Sequence, residues 1–400
     1  MKYLLKVFLL AALWQPLWAA DSPPATFLLK PAALQQAQQR LQQGDTALQR
    51  ALGALLRNAD KALQNGPYSV VFKSKTPPGG TKHDYMSVGP YWWPDSTKPD
   101  GLPYIRKDGQ VNPERFSIRD AEYHNALCKD VLTLGLAWYY TGKAAYANKA
   151  AALLRTWFID EATRMNPHLN YGQAIPGRTK GRGIGLIDTH NLAKLIDGIQ
   201  LLKNSTALRA EDYKAIQAWY TAFLNWMRNS PIGKDEADEH NNHGTWYDVQ
   251  TVSIALFTGQ PQLARQMLQE RTMSRIESQL KEDGSQPHEL ARTLSWSYSS
   301  MNLKGFFELA LLAENVSIDL WHYETPGHKS IQKAFTWMLP FAAGKKPWEH
   351  QQIKPADYST YLELAAVARQ QYPGVDLAPL WQQRGQVKDA YMLQLTGWTF

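Results

Sequence analysis

Val249-Gln250-Thr251-Val252-Ser253-Ile254-Ala255-Leu256-Phe257-Thr258-Gly259 is the stretch that decides the fold. Its apolar residues recur at helical spacing up to an aromatic, Thr-Gly then stops the helix, and a second amphipathic run returns as far as Leu280. Leu132 to Phe158 repeats the arrangement and turns at Thr141-Gly142. Two variants of one antiparallel helical hairpin suggest a ring built from such pairs. Further helices are expected over residues 32–65, 188–202, 210–228, 287–314, 329–339 and 359–371, with a last one near Leu380. No long alternating strand pattern competes with them. The expectation is an all-α protein, an (α/α) toroid or incomplete barrel of antiparallel helical hairpins.

The chain opens with Lys2 and Lys6, an apolar run from Val7 to Leu13, and Leu17-Trp18-Ala19-Ala20 before Asp21. That pattern predicts a secretory signal over residues 1–20, too short to span a membrane, followed by a single catalytic domain over residues 21–400. No Cys lies at the cleavage point to carry a lipid anchor, so the mature protein is expected to be periplasmic or secreted, with no membrane association. Cys128 is the sole cysteine, so stability must come from a core rather than an internal disulfide. We expect a monomer or a weak homodimer.

A net charge of +7 favours an anionic partner such as an acidic polysaccharide. Nucleic acid is set aside, because the Lys and Arg residues are dispersed and form no compact basic motif. Fifteen Trp and nineteen Tyr are more than most chains carry; most belong in a core, but exposed ones can stack on sugar rings. Two long stretches interrupt the helical rhythm, and long loops in compact domains tend to serve function. Residues 76–116 contain Tyr91-Trp92-Trp93-Pro94-Asp95, read as a wall over a sugar cleft with Trp92 and Trp93 as binding residues, against the alternative of a packed surface loop. Residues 166–186 contain Gly181-Arg182-Gly183-Ile184-Gly185. Those glycines follow no strand, so a nucleotide loop is excluded in favour of a mobile substrate loop carrying Arg178 or Arg182. His124-Asn125 and His190-Asn191 are read as polar cleft groups on facing helices, although each His by itself is more often structural.

Chemistry concentrates in His240-Asn241-Asn242-His243-Gly244-Thr245-Trp246-Tyr247-Asp248, ahead of the first quoted stretch. Asn241 or Asn242 is a suitable N-cap, and the acidic segment 235–239 precedes it. Amide donors and an imidazole then sit where free backbone N–H groups gather, as a carboxylate-bearing substrate requires. A second constellation, Pro287-His288-Glu289-Leu290-Ala291-Arg292, continues to Trp296 and Tyr298. Six residues separate Arg292 from Tyr298, which on an ideal helix sets them about 120° apart. Either the helix is distorted there or Arg292 works from the side; the plain alternative pairs Arg292 with Glu289 and buries Tyr298.

The Asn-Asn-His run resembles the signature of the bacterial alginate lyase superfamily, helical-toroid lyases that cleave uronic-acid polymers by β-elimination. It is closest to members in which Gly-Thr-Trp-Tyr-Asp follows the His, whereas the most familiar ones continue Ser-Tyr-Trp. The resemblance covers residues 68–339 and implies a catalytic set of Asn242, His243, Arg292 and Tyr298. Elimination across C4–C5 of a uronate needs the developing carboxylate charge neutralised, a base at C5 and an acid at O4. Asn242 with Arg292 or helix N–H groups is expected to neutralise the charge. His243 and Tyr298, its pKa lowered by an adjacent Arg, are expected to move the protons, with Tyr298 alone serving where both groups leave from one face. Trp246, Tyr247 and Glu289 are expected beside the substrate. Alginate and glucuronan are both open as the polymer.

No cofactor is implied. His240 and His243 offer a metal-ligand spacing, but no His-Glu-x-x-His pattern or Cys cluster accompanies them, so no metal is expected. Two other classes remain: a glycoside hydrolase using carboxylates such as Asp188 and Glu289, and a non-catalytic periplasmic polysaccharide-binding protein.

Overall fold

Gly142 and Gly259 take left-handed backbone angles, φ 65° and 73°, just past the two diagnostic helices, a conformation that only glycine adopts without steric cost. The chain reverses after each. The computed structural model describes residues 23–398, so the expected signal lies outside the described residues. Within them, α1 (Pro31–Gln42) and α2 (Thr46–Ala62) precede α3 (Asp120–Thr141) and its return partner α4 (Ala144–Phe158). Then come α5 (Leu192–Leu202), α6 (Ala210–Asn229), α7 (Pro231–Asp238), α8 (Asn242–Phe257), α9 (Pro261–Met267) and α10 (Met273–Gln279). The last third holds α11 (Pro287–Leu290), α12 (Ser295–Glu314), α13 (Ile331–Ala342), α14 (Ser359–Gln371) and α15 (Ala390–Leu395).

These helices form an (α/α) toroid. α3 packs on α5, α5 on α8, α8 on α12 and α12 on α14, while α15 and α2 close the circuit back to α3. In α8 every residue but His243 is buried, and in α5 every residue but Lys194. Helices covered on all sides form the inner wall, whereas α4 and α6 bury one face and lie outside it. No helix of the described residues is long and apolar enough to cross a membrane.

Three departures from expectation have local causes. Residues 32–65 split because Gly44 turns left-handed and Asp45 caps α2, accepting from the N–H groups of Ala47 and Leu48. The acidic segment 235–239, read only as preceding the next helix, lies mostly within α7, which has Ser230 as cap and Pro231 at its first position. Most consequential, residues 287–314 are not one helix, for α11 ends at Leu290 and α12 begins at Ser295.

The two long loops are joined to each other. β1 (Met86–Val88) pairs in parallel with β4 (Tyr171–Ala174), and β2 (Trp92–Trp93) pairs antiparallel with β3 (Ile105–Arg106). The second loop, expected to be mobile, is thus tied to the first, and the Gly183 N–H reaches the Asp235 carboxylate of α7 at 3.0 Å.

Candidate active site

Asn241 is the N-cap of α8, its Oδ1 accepting from the His243 N–H at 2.9 Å. The Asn242 N–H donates to Glu289 Oε1 at 2.7 Å, and its Nδ2 to Glu289 Oε2 at 2.8 Å. The helix start does hold a carboxylate, but it is the protein's own. This corrects two expectations: the first N–H groups of α8 are taken, and Glu289, 1% exposed, faces Asn242 rather than a substrate. Asn242 is itself fully covered, with Oδ1 buried and unpartnered.

His243 keeps a partly open side chain, and its Nδ1 lies 3.0 Å from Glu236 Oε1. With the proton on Nδ1 shared toward that carboxylate, Nε2 is the nitrogen left to work. Burial disfavours the imidazolium, but Glu236, with Glu239 and Glu289, outweighs it and holds the His243 pKa above its ordinary value. Glu236 is wholly buried on α7, and burial raises its own pKa. Arg275 fixes α7 against α8: Nε and Nη2 bind the Asp248 carboxylate at 2.8 and 3.2 Å, and Nη1 and Nη2 take the Glu239 and Ala237 carbonyls, each at 2.7 Å.

The break between α11 and α12 resolves the 120° difficulty. Arg292 lies outside both helices, and its guanidinium carbon stands 3.7 Å from the centroid of the Tyr298 ring. It pairs with Asp108 rather than Glu289, Nη2 to Oδ1 at 2.8 Å and Nε to Oδ2 at 3.2 Å, while Thr293 donates to the same carboxylate through N–H and hydroxyl. The Tyr298 hydroxyl meets that of Tyr91 at 2.6 Å. Burial and Tyr91 push the Tyr298 pKa well above the phenol range, against the opposing pull of Arg292. The expected lowering by an adjacent Arg is therefore corrected: the cation is there, but desolvation wins.

The loops add a third group. Arg182 Nε donates to the Gln173 carbonyl and Nη2 to Gln173 Oε1, and the guanidinium also lies over the Trp92 ring, as does that of Arg178. Burial, reinforced by Arg106, brings the Arg182 pKa down to about 10 against the opposing pull of Asp188, Glu236 and Glu239. Gln173, at φ 47°, also donates through Nε2 to Asp188, whose carboxylate is shared with Tyr85 and Ser87 hydroxyls.

Other expected residues fall elsewhere. His124 is 1% exposed against Cys128 and Trp157, and burial pushes its pKa down to about 3. Trp246 and Tyr247, expected beside the substrate, are 2% and 3% exposed and belong to the core. All three are buried side chains. His190 packs its ring on Trp246 and uses Nδ1 on the Ile187 carbonyl, while exposed Asn125 is bonded to Asn191. Trp93 is held by the Gln110 carbonyl, with Lys107 over its ring. His240 packs on His288, and among the described residues no group of three or more His, Cys, Asp or Glu is placed to hold a metal ion.

A model of the family described as alginate lyase matches residues 69–348. The chain belongs to the alginate lyase family. It is similar to an alginate lyase from Bacteroides ovatus, with 38% identity and a TM-score of 0.86 over 93% of this chain and 99% of that one. Alginate lyase A1-III from Sphingomonas species A1 shares the fold at 18% identity and TM-score 0.56, over 88% of this chain and 91% of that one. A variant of A1-III complexed with a tetrasaccharide aligns at 17% identity and TM-score 0.58, over 90% and 91%. No curated protein matches.

Within an alginate lyase, the Gly-Thr-Trp-Tyr-Asp continuation has a steric reason. A Cβ on Gly244 would stand 2.0 Å from Arg275 Nη1 and 2.1 Å from the Glu239 carbonyl. Gly244 makes room for the arginine and Asp248 binds it, so the two residues belong to one device. Reading the sequence missed Glu236, Tyr91, Asp108 and Gln173. Tyr91 lay inside a quoted aromatic run and Glu236 inside the acidic segment; for Asp108 and Gln173 no local signal exists.

Proposed function

We propose that this enzyme is an alginate-cleaving lyase in which His243, backed by Glu236, takes the C5 proton and Tyr298 gives its proton to the departing O4. What supports the reading is an imidazole whose Nδ1 is engaged by the buried Glu236 carboxylate, leaving Nε2 free, and a phenol whose ring lies against the Arg292 guanidinium. Glu236 raises the His243 pKa, so the imidazole is the free base only above that raised value, where the buried Tyr298 still carries its proton. Arg292, against the Tyr298 ring, and Arg182, over the Trp92 ring, are the cations for the uronate carboxylate as enolate charge develops. Asn242 and Glu289 act from behind, fixing the first turn of α8 and with it His243. The hydrolase alternative loses support, because Asp188 and Glu289 are both engaged as acceptors within the protein. An exported location, proposed from the amino-terminal pattern, suits a polymer substrate.

Purified protein incubated with alginate, polyglucuronate and hyaluronate, with ultraviolet absorbance and reducing ends recorded together, tests this. Absorbance from a new C4–C5 double bond, greatest on alginate, is expected. Reducing ends without absorbance would mean hydrolysis, and binding with neither would mean a scaffold.

A further inference from the structure

Close backbone contact accounts for the glycines on either side of Arg182. A Cβ on Gly181 would stand 2.1 Å from the Asn170 carbonyl oxygen, and one on Gly183 would stand 2.6 Å from the Glu236 backbone nitrogen. Arg182 is thereby wedged between the segment that leads into β4 and the residue that partners His243. Its guanidinium lies over Trp92, whose neighbour Tyr91 meets the Tyr298 hydroxyl. Arg178 lies over the same ring, and among the described residues neither guanidinium has a carboxylate within ion-pair distance. Two like charges gathered without a counter-ion suit a carboxylate that arrives with the substrate.

Gln173 decides where the Arg182 guanidinium points. Its carbonyl accepts from Arg182 Nε at 3.0 Å and its Oε1 from Nη2 at 3.1 Å, which leaves Nη1 uncommitted. A carboxylate can only accept, so Asp188 Oδ1 takes the other end of the amide, Nε2, at 2.8 Å and turns Oε1 toward the arginine. Asp188 is itself held by the Ser87 and Tyr85 hydroxyls, and Ser87 Oγ also accepts from the Gln173 N–H at 2.8 Å. Gln173 lies inside β4 at φ 47°, in the left-handed region, and is 7% exposed. Glycine would suit that backbone better, so the residue is there for its side chain. We propose that Gln173, oriented by Asp188, is a positioning residue that aims Arg182 at a uronate carboxylate and so favours carboxylate-bearing polymer. The choice of uronate rests on the lyase reading.

A double-mutant cycle on the full chain tests it. Gln173→Gly removes the amide at a backbone angle that glycine adopts freely, so its denaturant midpoint should stay near that of wild type. Binding of an alginate tetramer, measured by calorimetry in the Tyr298→Phe background, should weaken about tenfold in Gln173→Gly and in Arg182→Ala. The combined variant should bind no more weakly than Arg182→Ala alone, and kcat/KM without the Tyr298 change should follow the same pattern. If Gln173→Gly does not fold, Gln173→Met, which keeps the bulk and loses the amide, is read in its place. Additive losses, absent binding in the parent protein, or undiminished binding in a folded Gln173 variant would overturn the proposal. Ultraviolet absorbance on the same preparations separates the two claims. Tetramer binding that depends on the paired residues, without any unsaturated product, sinks the lyase reading alone, and product formation with additive losses sinks the positioning role alone.

Discussion

Glu236 and His243 are set by helices, α7 and α8 clamped together by Arg275, whereas Arg292 and Tyr298 reach their places through Asp108 and Tyr91, both from the first long loop. The proposed base is therefore held by the ring itself. The proposed acid is completed only where the loop docks on the break between α11 and α12. The difference couples proton donation to the loop that walls the cleft, so the acid half is the one to respond when that loop is disturbed. Enclosure and acid catalysis then share one set of contacts, Asp108 with Arg292 and Thr293, and Tyr91 with Tyr298.

The sharpest way to break this comparison is Tyr298→Phe, which removes a hydroxyl and little else. Turnover should fall by roughly a thousandfold, within the range general acids contribute, with fold and polymer binding retained. Tyr91→Phe should cost only about fivefold, the worth of one neutral hydrogen bond. Near-normal turnover in Tyr298→Phe, or equal losses in the two variants, would mean that the proton comes from elsewhere.

On the base side, Glu236→Gln keeps an acceptor for Nδ1 but removes the charge. We expect kcat/KM to drop by about a hundredfold and its pH profile to move in a stated direction. His243 must be unprotonated to act, and Glu236 raises its pKa. Wild-type activity is therefore lost, as pH falls, at a higher pH than an ordinary histidine would give. Without the carboxylate that acid limb should shift to lower pH. A limb that stays put in Glu236→Gln would remove His243 from the role of base.

Gly244→Ala addresses how the base half is held. The added methyl meets a backbone carbonyl and the Arg275 clamp, and overpacking of this kind costs about 1–3 kcal/mol. Denaturant unfolding should show that loss together with reduced turnover. Full stability would mean that Arg275 moves aside and that the clamp is not what positions α7.

How much of this could be read from the residues depended on the range of the interaction. The hairpin at Gly142 was legible because helical period and a left-handed glycine are local. A cap at Asn241 or Asn242 was legible for the same reason, and Asn241 is the one used. The break at residues 291–294 showed only as the 120° mismatch between Arg292 and Tyr298, one of two readings left open, since apolar spacing runs on through it and the partner of Arg292 is Asp108, 184 residues away. Glu236 is seven residues before His243, close enough to be seen, yet an acidic run looks like a solvated helix lead-in until α7 buries it. Trp246 and Tyr247 erred the other way: proximity to His243 suggested substrate contact, while the inner wall of a toroid turns such neighbours into core.

The smallest effect is expected at the loop aromatic. Trp92 is half-buried beneath Arg178 and Arg182, so its truncation leaves Asp108 and Tyr91 in place while removing a ring that a sugar can stack against. Such a contact is made about equally in the ground and transition states, and losing it raises KM without lowering kcat. Trp92→Ala should raise KM for alginate several-fold, roughly 1 kcal/mol of lost binding, with kcat within twofold of wild type. A fall in kcat instead would show that the ring, through Arg182, helps set the charge beside His243. Enclosure would then be coupled to the base half as well as the acid half, and the contrast between them would narrow. No change in either constant would return the loop to a structural role around Asp108 and Tyr91 alone.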